Sequence, residues 1–242
     1  MRMVLLIMWR ELRGLFNGHA GYVILAAHLL ITGLLFNVYA VGATPRFSQE
    51  VLRLFFHFSS GMAMVSGILL GMRTIAEERQ MNTLVLLRTS PVTEREIVWG
   101  KFLAALAFLV LVSVLSLYMP ALIFWRGKVA LAQIAVGYGG LLLLGAACIA
   151  ISLLASAWSR TQLIAGVVGG LLVTVLVVIW MVALVSQSPM KELFAFLALH
   201  NMHFRTFSTG TLHLRDLVYY LAVTVFFLEA AVRSLEAWRW RE

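Results

Sequence analysis

Charge is scarce in this sequence: 12% of its 242 residues are Asp, Glu, Lys or Arg, and 62% are hydrophobic. A soluble globular domain carries about twice that charged share, and a mean hydropathy of +0.93 excludes that class. Cysteine is scarcer still. The lone Cys148 rules out an intramolecular disulfide and, lying inside an apolar run, reads as a small packing residue. No G-x-x-x-x-G-K-[ST] loop occurs: Gly100-Lys101 is followed by Phe102 and has no glycine at the upstream position. The chain therefore has no phosphate cradle and cannot hydrolyse ATP itself. Catalytic residues are also missing. Ser59-Ser60-Gly61 lacks the preceding glycine of a rhomboid-like protease, and no span pairs two acids at depth. Neither midplane ionisable groups nor repeated broken segments mark a stand-alone secondary transporter or channel, which is the alternative reading.

What is present is membrane-spanning sequence. A transmembrane helix needs about 20 apolar residues, and six candidates fit: 20–41, 51–72, 102–125, 131–158, 162–185 and 217–238. The expectation is an all-α integral membrane protein forming one domain over residues 1–242, with both termini on the same side. The loops on that side carry 12 of the 19 basic residues and the opposite loops carry 7. The positive-inside rule then puts both termini and residues 73–101 in the cytoplasm. Topology and lipid headgroups account for the net charge of +8 better than nucleic acid does. Residues 1–19 read as an amphipathic interfacial helix rather than a signal peptide. Leu5, Met8, Trp9, Leu12, Leu15 and Phe16 share one face, and Arg2, Arg10, Arg13 and Asn17 an adjoining one.

The longest polar stretch is 73–101. The second span should continue as helix past Met72, Ile75 and Ala76 to Glu77-Glu78, and end around Asn82, a residue that tolerates left-handed backbone. A short helix from Thr83 to Thr89 follows, closed by Pro91. Thr93-Glu94-Arg95-Glu96 has the capping-box pattern that opens the third span. Residues 186–214 on the other side hold too many apolar groups, Phe204 and Phe207 among them, for a loop in water. They are expected to form a re-entrant helical cap, with Ser188-Pro189 starting a helix and Gly210 breaking the chain. His200, His203 and His213 are weak candidates for a metal, and histidines satisfied by backbone or water are the commoner outcome, so no metal is assigned. His28 and His57 read as helix-packing residues, and Gly67-x-x-x-Gly71 and Gly166-x-x-x-Gly170 permit close helix contact within or between subunits. Glu229 is expected to pair with Arg233 one turn later.

Two motifs carry a family resemblance. Ile75-Ala76-Glu77-Glu78-Arg79, Thr83-Leu84, Leu86-Leu87, Thr89-Ser90-Pro91-Val92 and Gly100-Lys101 resemble the coupling-helix region of ABC-2 type permeases. His203-Phe204, Phe207-Ser208, Gly210, Leu214-Arg215-Asp216, Val218-Tyr219-Tyr220 and Arg233-Ser234-Leu235-Glu236 resemble the gliding-motility and nitrous-oxide-reductase-maturation branch. Asn82 stands where many such permeases have glycine. The resemblance implies the membrane subunit of an ABC exporter, with no catalytic residue or cofactor of its own. ATP and Mg would be bound by a partner ABC ATPase present in two copies. It further implies a second permease subunit, identical or homologous, an accessory extracytoplasmic protein and surrounding lipid. The residues it implies for ATPase coupling are Glu77, Glu78, Arg79, Thr83, Leu84, Leu87, Arg88, Ser90 and Pro91, and for an external gate Phe204, Phe207 and Gly210.

Overall fold

The computed structural model describes residues 2–41, 47–83, 92–126 and 129–239, and among these every regular element is a helix. In chain order these are α1 (Arg2–Asn17), α2 (His19–Leu35, continued by a π-helical turn Phe36–Val41), α3 (Ser48–Arg73) and α4 (Ala76–Gln80). Next come α5 (Glu94–Ser116), α6 (Tyr118–Arg126), α7 (Leu131–Trp158) and α8 (Gln162–Val185). The chain ends with α9 (Met190–Leu197), α10 (Phe204–Ser208) and α11 (Leu214–Arg239). Six helical stretches are long and apolar enough to cross a membrane: 19–38, 48–80, 94–125, 131–158, 162–185 and 214–238. Their number and order are those expected, the second ending about eight residues later and the third starting about eight earlier than 51–72 and 102–125. Of the helix expected over 83–89 only Thr83 is described, and Leu84, Leu87, Arg88, Ser90 and Pro91 lie outside the described residues.

Nearly all of α7 is buried, whereas α8 is mostly exposed, so the bundle is arranged around α7. Inside lipid, close packing rather than the hydrophobic effect holds helices together, and small residues let backbones approach. A Cβ on Gly71 would stand 2.8 Å from the Ile149 carbonyl oxygen, and one on Gly67 would stand 2.9 Å from the Cβ of Cys148. This glycine pair of α3 is therefore spent on α7 within the chain. Of the second pair, Gly166 meets Met72 while Gly170 faces open space. Two large apolar cores result among the described residues. One, around Phe102, Phe108, Leu153 and Leu228, lies towards the α4 end. The other, around Phe56, Tyr138, Phe207 and Tyr220, lies towards the α9–α10 end.

Two expectations are corrected. The second span does not run on unbroken to Glu78, because the helix breaks at Thr74–Ile75 and restarts as α4. The cause is a serine from α7: Ser156 Oγ accepts from the amides of Ile75 and Ala76 at 3.0 and 2.8 Å and donates to the Met72 carbonyl at 2.9 Å. One hydroxyl thus occupies groups the continuing helix would have paired with each other. The Glu229–Arg233 pair also gives way. Arg95 at the start of α5 donates to Glu229 at 2.9 Å, and Arg233 faces Glu236 at 3.5 Å instead. These exposed pairs contribute little stability.

Candidate functional site

Four consecutive residues of α4 reach four different parts of the molecule. Glu77 takes two hydrogen bonds from Arg73, at 2.9 and 3.1 Å, and so bridges the helix break. Glu78 turns towards α1 and α5. Its Oε1 lies 3.1 Å from Arg10 Nη2 and 2.9 Å from Lys101 Nζ, and both cations also contact Glu11 Oε1, at 2.7 and 3.0 Å. Two carboxylates and two cations form a closed ring. Arg79 Nη1 donates to the Ser159 carbonyl at 3.0 Å, and its guanidinium stacks 4.7 Å from the Trp238 ring of α11. Gln80 Oε1 accepts from the Gln162 amide that opens α8, at 3.4 Å.

Lys101 is 1% exposed, and a buried ammonium is tolerable only when paired and hydrogen-bonded. Burial by itself would raise the Glu11 carboxyl. Lys101 and then Arg10 outweigh it and hold Glu11 below the usual carboxylate range. α1 reaches this ring because residue 100 is glycine: a Cβ there would stand 2.7 Å from Ile7 Cγ2 and 3.1 Å from the Val4 carbonyl oxygen. The pair Gly100-Lys101 therefore has two parts, the glycine admitting α1 and the lysine tying it to α4. Leu5, Trp9 and Phe16 stay exposed on the outer face of α1, as an interfacial helix requires, while Ile7 is buried beneath.

The flanks of the segment expected to carry the coupling helix are firmly signed. Asn82 has φ +56. Its amide donates to the Arg79 carbonyl at 3.2 Å and the Thr83 amide to the Glu78 carbonyl at 2.9 Å, which together make a Schellman motif ending α4. The α5 end carries the expected capping box: the Thr93 amide donates to Glu96 Oε2 at 3.1 Å and the Glu96 amide to Thr93 Oγ1 at 3.3 Å. A cavity of about 650 Å³ opens beside the ring, lined by Ile7, Arg73, Glu77, Thr83 and Val92 among others.

The external candidates gather at the far end of α7. Phe204 and Phe207 are fully buried, the second seated where a Cβ on Gly140 would stand 2.4 Å from it. Gly210 adopts φ +82 against Gln133. The segment is docked over 196–210, while 187–193 stays exposed. The hydroxyls of Tyr219 and Tyr220 donate to the Leu197 and Leu199 carbonyls at 2.9 and 2.8 Å, and the Leu199 amide donates to Leu176 at 3.0 Å.

The model for the family described as ABC-2 family transporter protein matches residues 23–237, most of the chain. The chain belongs to that family. It is a membrane-spanning transport protein, and no curated protein matches it.

In this ABC-2 chain the three histidines have separate surroundings. Ser60 gives its proton to the His57 carbonyl at 2.6 Å and faces His200 Nε2 at 2.7 Å. His203 is held by Asp216 at 2.7 Å and the Phe196 carbonyl at 3.0 Å, with its ring stacked 3.8 Å from Tyr219. His213 is exposed. Among the described residues no three His, Cys, Asp or Glu side chains converge as a metal site.

The sequence reading missed Arg10 as a partner of Glu78 and Glu11 as the second carboxylate of the ring, and Ser156, Ser159 and Trp238 as anchors of α4. The signals were present. Arg10-Glu11 interrupts an apolar run, and Ser152 and Ser156 stand one helical turn apart on α7, meeting the carbonyls of Ile68 and Met72.

Proposed function

We propose that this ABC-2 chain is the permease subunit of an ABC exporter, moving its cargo with energy from a separate ATPase. The observation that carries the reading is α4. Its four side chains tie one short helix to α1, α3, α5, α8 and α11, and the coupling segment leaves directly from its end. A push delivered there would reach most helices of the bundle at once. Two such subunits, identical or homologous, would pair with two ATPases that bind ATP and Mg. Leu84 and Leu87 would seat in a groove of the ATPase with Arg88 beside them. The termini and α4 would face the cytoplasm of a bacterial inner membrane. The cap built on Phe204, Phe207 and Gly210 would dip into the outer leaflet over the exit, since irregular backbone at that depth must be covered by protein. The motifs of the last span, Leu214-Arg215-Asp216 and Arg233-Ser234-Leu235-Glu236 among them, support a place in the gliding-motility and nitrous-oxide-reductase-maturation branch.

The test is purification of the chain from native membrane with its partners identified by mass. An ATPase should copurify, and replacing Leu84 and Leu87 together by Asp should abolish the complex. Transport by the isolated chain, or a double variant that keeps a stimulated ATPase, would sink the proposal.

A further inference from the structure

The outer surface of α11 carries a groove of about 520 Å³ between α9 and α11. Its floor is one helical stripe, Leu214, Val218, Ala222 and Phe226, four residues apart, and Leu197 of α9 forms a wall. Leu214, Val218 and Phe226 are all well exposed. Arg215 closes the head of the groove, its guanidinium held 5.5 Å from the Phe196 ring. No carboxylate pairs with Arg215 among the described residues, and its neighbour Asp216 is already taken by His203 and Thr206.

We propose that this groove binds a phosphate-bearing lipid, one acyl chain along the α11 stripe and the phosphate on Arg215. Length, position and charge each select that occupant. From Arg215 to Phe226 the helix rises about 17 Å, close to the roughly 15 Å hydrocarbon depth of a single leaflet. Arg215 lies in the first turn of a spanning helix, where headgroups meet the hydrocarbon, and long cations reach phosphate at that level. A cation with no acidic partner at the mouth of an apolar slot is the complement of an anionic amphiphile. The ring of Phe196 keeps the guanidinium over the mouth, so its donors are presented rather than ordered on binding. This lipid is a resident of the subunit's flank, and the assignment does not depend on which cargo the protein moves.

The experiment uses the full chain, with whatever subunits accompany it, in lipid discs made with phosphatidylglycerol or phosphatidylcholine. Retained lipid is counted by native mass spectrometry after transfer to detergent. Wild type should retain phosphatidylglycerol. Arg215→Gln should weaken that retention about tenfold, the loss of one charge-assisted contact. Arg215→Lys should keep most of it. Ala222→Trp, which fills the slot but leaves the cation, should lose phosphatidylglycerol and phosphatidylcholine alike. All three substitutions are at exposed positions, so the fold is expected to survive. Retention within twofold of wild type in Arg215→Gln or Ala222→Trp would overturn the proposal. So would loss of subunit pairing in place of lipid, which would assign the groove to a second copy of the chain.

Discussion

Replacing Lys101 by Met keeps the volume of the side chain and removes its charge from the ring at α1, α4 and α5. The ammonium is 1% exposed and bridges Glu11 and Glu78 at 3.0 and 2.9 Å, so its loss leaves two facing carboxylates with Arg10 as their one remaining cation in the ring. Breaking a buried pair from one side costs about 3–5 kcal/mol. Because the Glu11 side chain is 27% exposed and still reaches water, the low end applies, about 3 kcal/mol. For a chain of this size each kcal/mol lowers Tm by about 2–4 °C, so the drop should be about 6–12 °C, read by thermal unfolding of the purified protein. Adding Glu78→Gln removes the stranded charge. The double variant should then be less destabilised than the sum of the singles, by about 1–2 kcal/mol of coupling. The variant should also become acid-tolerant. Lys101 is the strongest influence lowering Glu11, and stability linked to a lowered carboxyl is present above its unfolded value and lost as pH falls through the folded one. Wild type therefore loses more stability on acidification than Lys101→Met does. A Tm within about 2 °C of wild type, or strictly additive singles, would refute the account of the ring.

Ser156→Ala removes the acceptor of two amides and should cost about 1–3 kcal/mol, with faster hydrogen exchange at Ile75 and Ala76; unchanged protection there would mean the helix break is set by something else. Burial, opposed by the Asn201 hydrogen bond and aided by His57, keeps the His200 imidazole below its ordinary 6.5. An undocked cap therefore takes the proton first, and docking is at full strength above about 6.5 and weakens as pH falls below it. Proteolysis within 186–214 should accelerate on acidification and be insensitive to pH in His200→Gln. A cysteine placed at Thr209 should be labelled from outside intact cells and one at Thr93 should not, with buried Cys148 giving little background; the reverse pattern would invert the topology.

The spans were legible because their apolar runs carry few charges and are long enough to leave one reading. The capping box at Thr93 and the left-handed turn at Asn82 were legible for a different reason: each depends on a few neighbouring residues whose chemistry permits little else. The break at Thr74–Ile75 was not. Nothing in Gly71–Ala76 forbids helix, and the interruption is imposed by Ser156, 81 residues after Ile75. The ring around Lys101 was hidden likewise, since Arg10, Glu11, Glu78 and Lys101 come from three elements and only packing brings them together. Glu229 shows how a local rule misleads. Arg233 stands at the correct helical spacing, but Arg95 from the neighbouring helix takes the carboxylate. Phe204 and Phe207 were read correctly as too apolar for water, while the seat that receives Phe207 depends on Gly140, a residue with no local signal.

Helix α7 touches both regions singled out above: Ser156 holds the break before α4, and Gly140 seats Phe207 beneath the cap. Sixteen residues of helix separate them, about 24 Å. An α-helix is stiff along its axis, so axial displacement at one end arrives at the other nearly undiminished. This helix is therefore the bundle's keel, one stiff element common to both regions. Since its neighbours clasp it on almost every side, it has little room to tilt alone. The hydroxyls of Ser152 and Ser156, bound to the Ile68 and Met72 carbonyls, fix the register of α3 along it, so the two regions share one rigid frame.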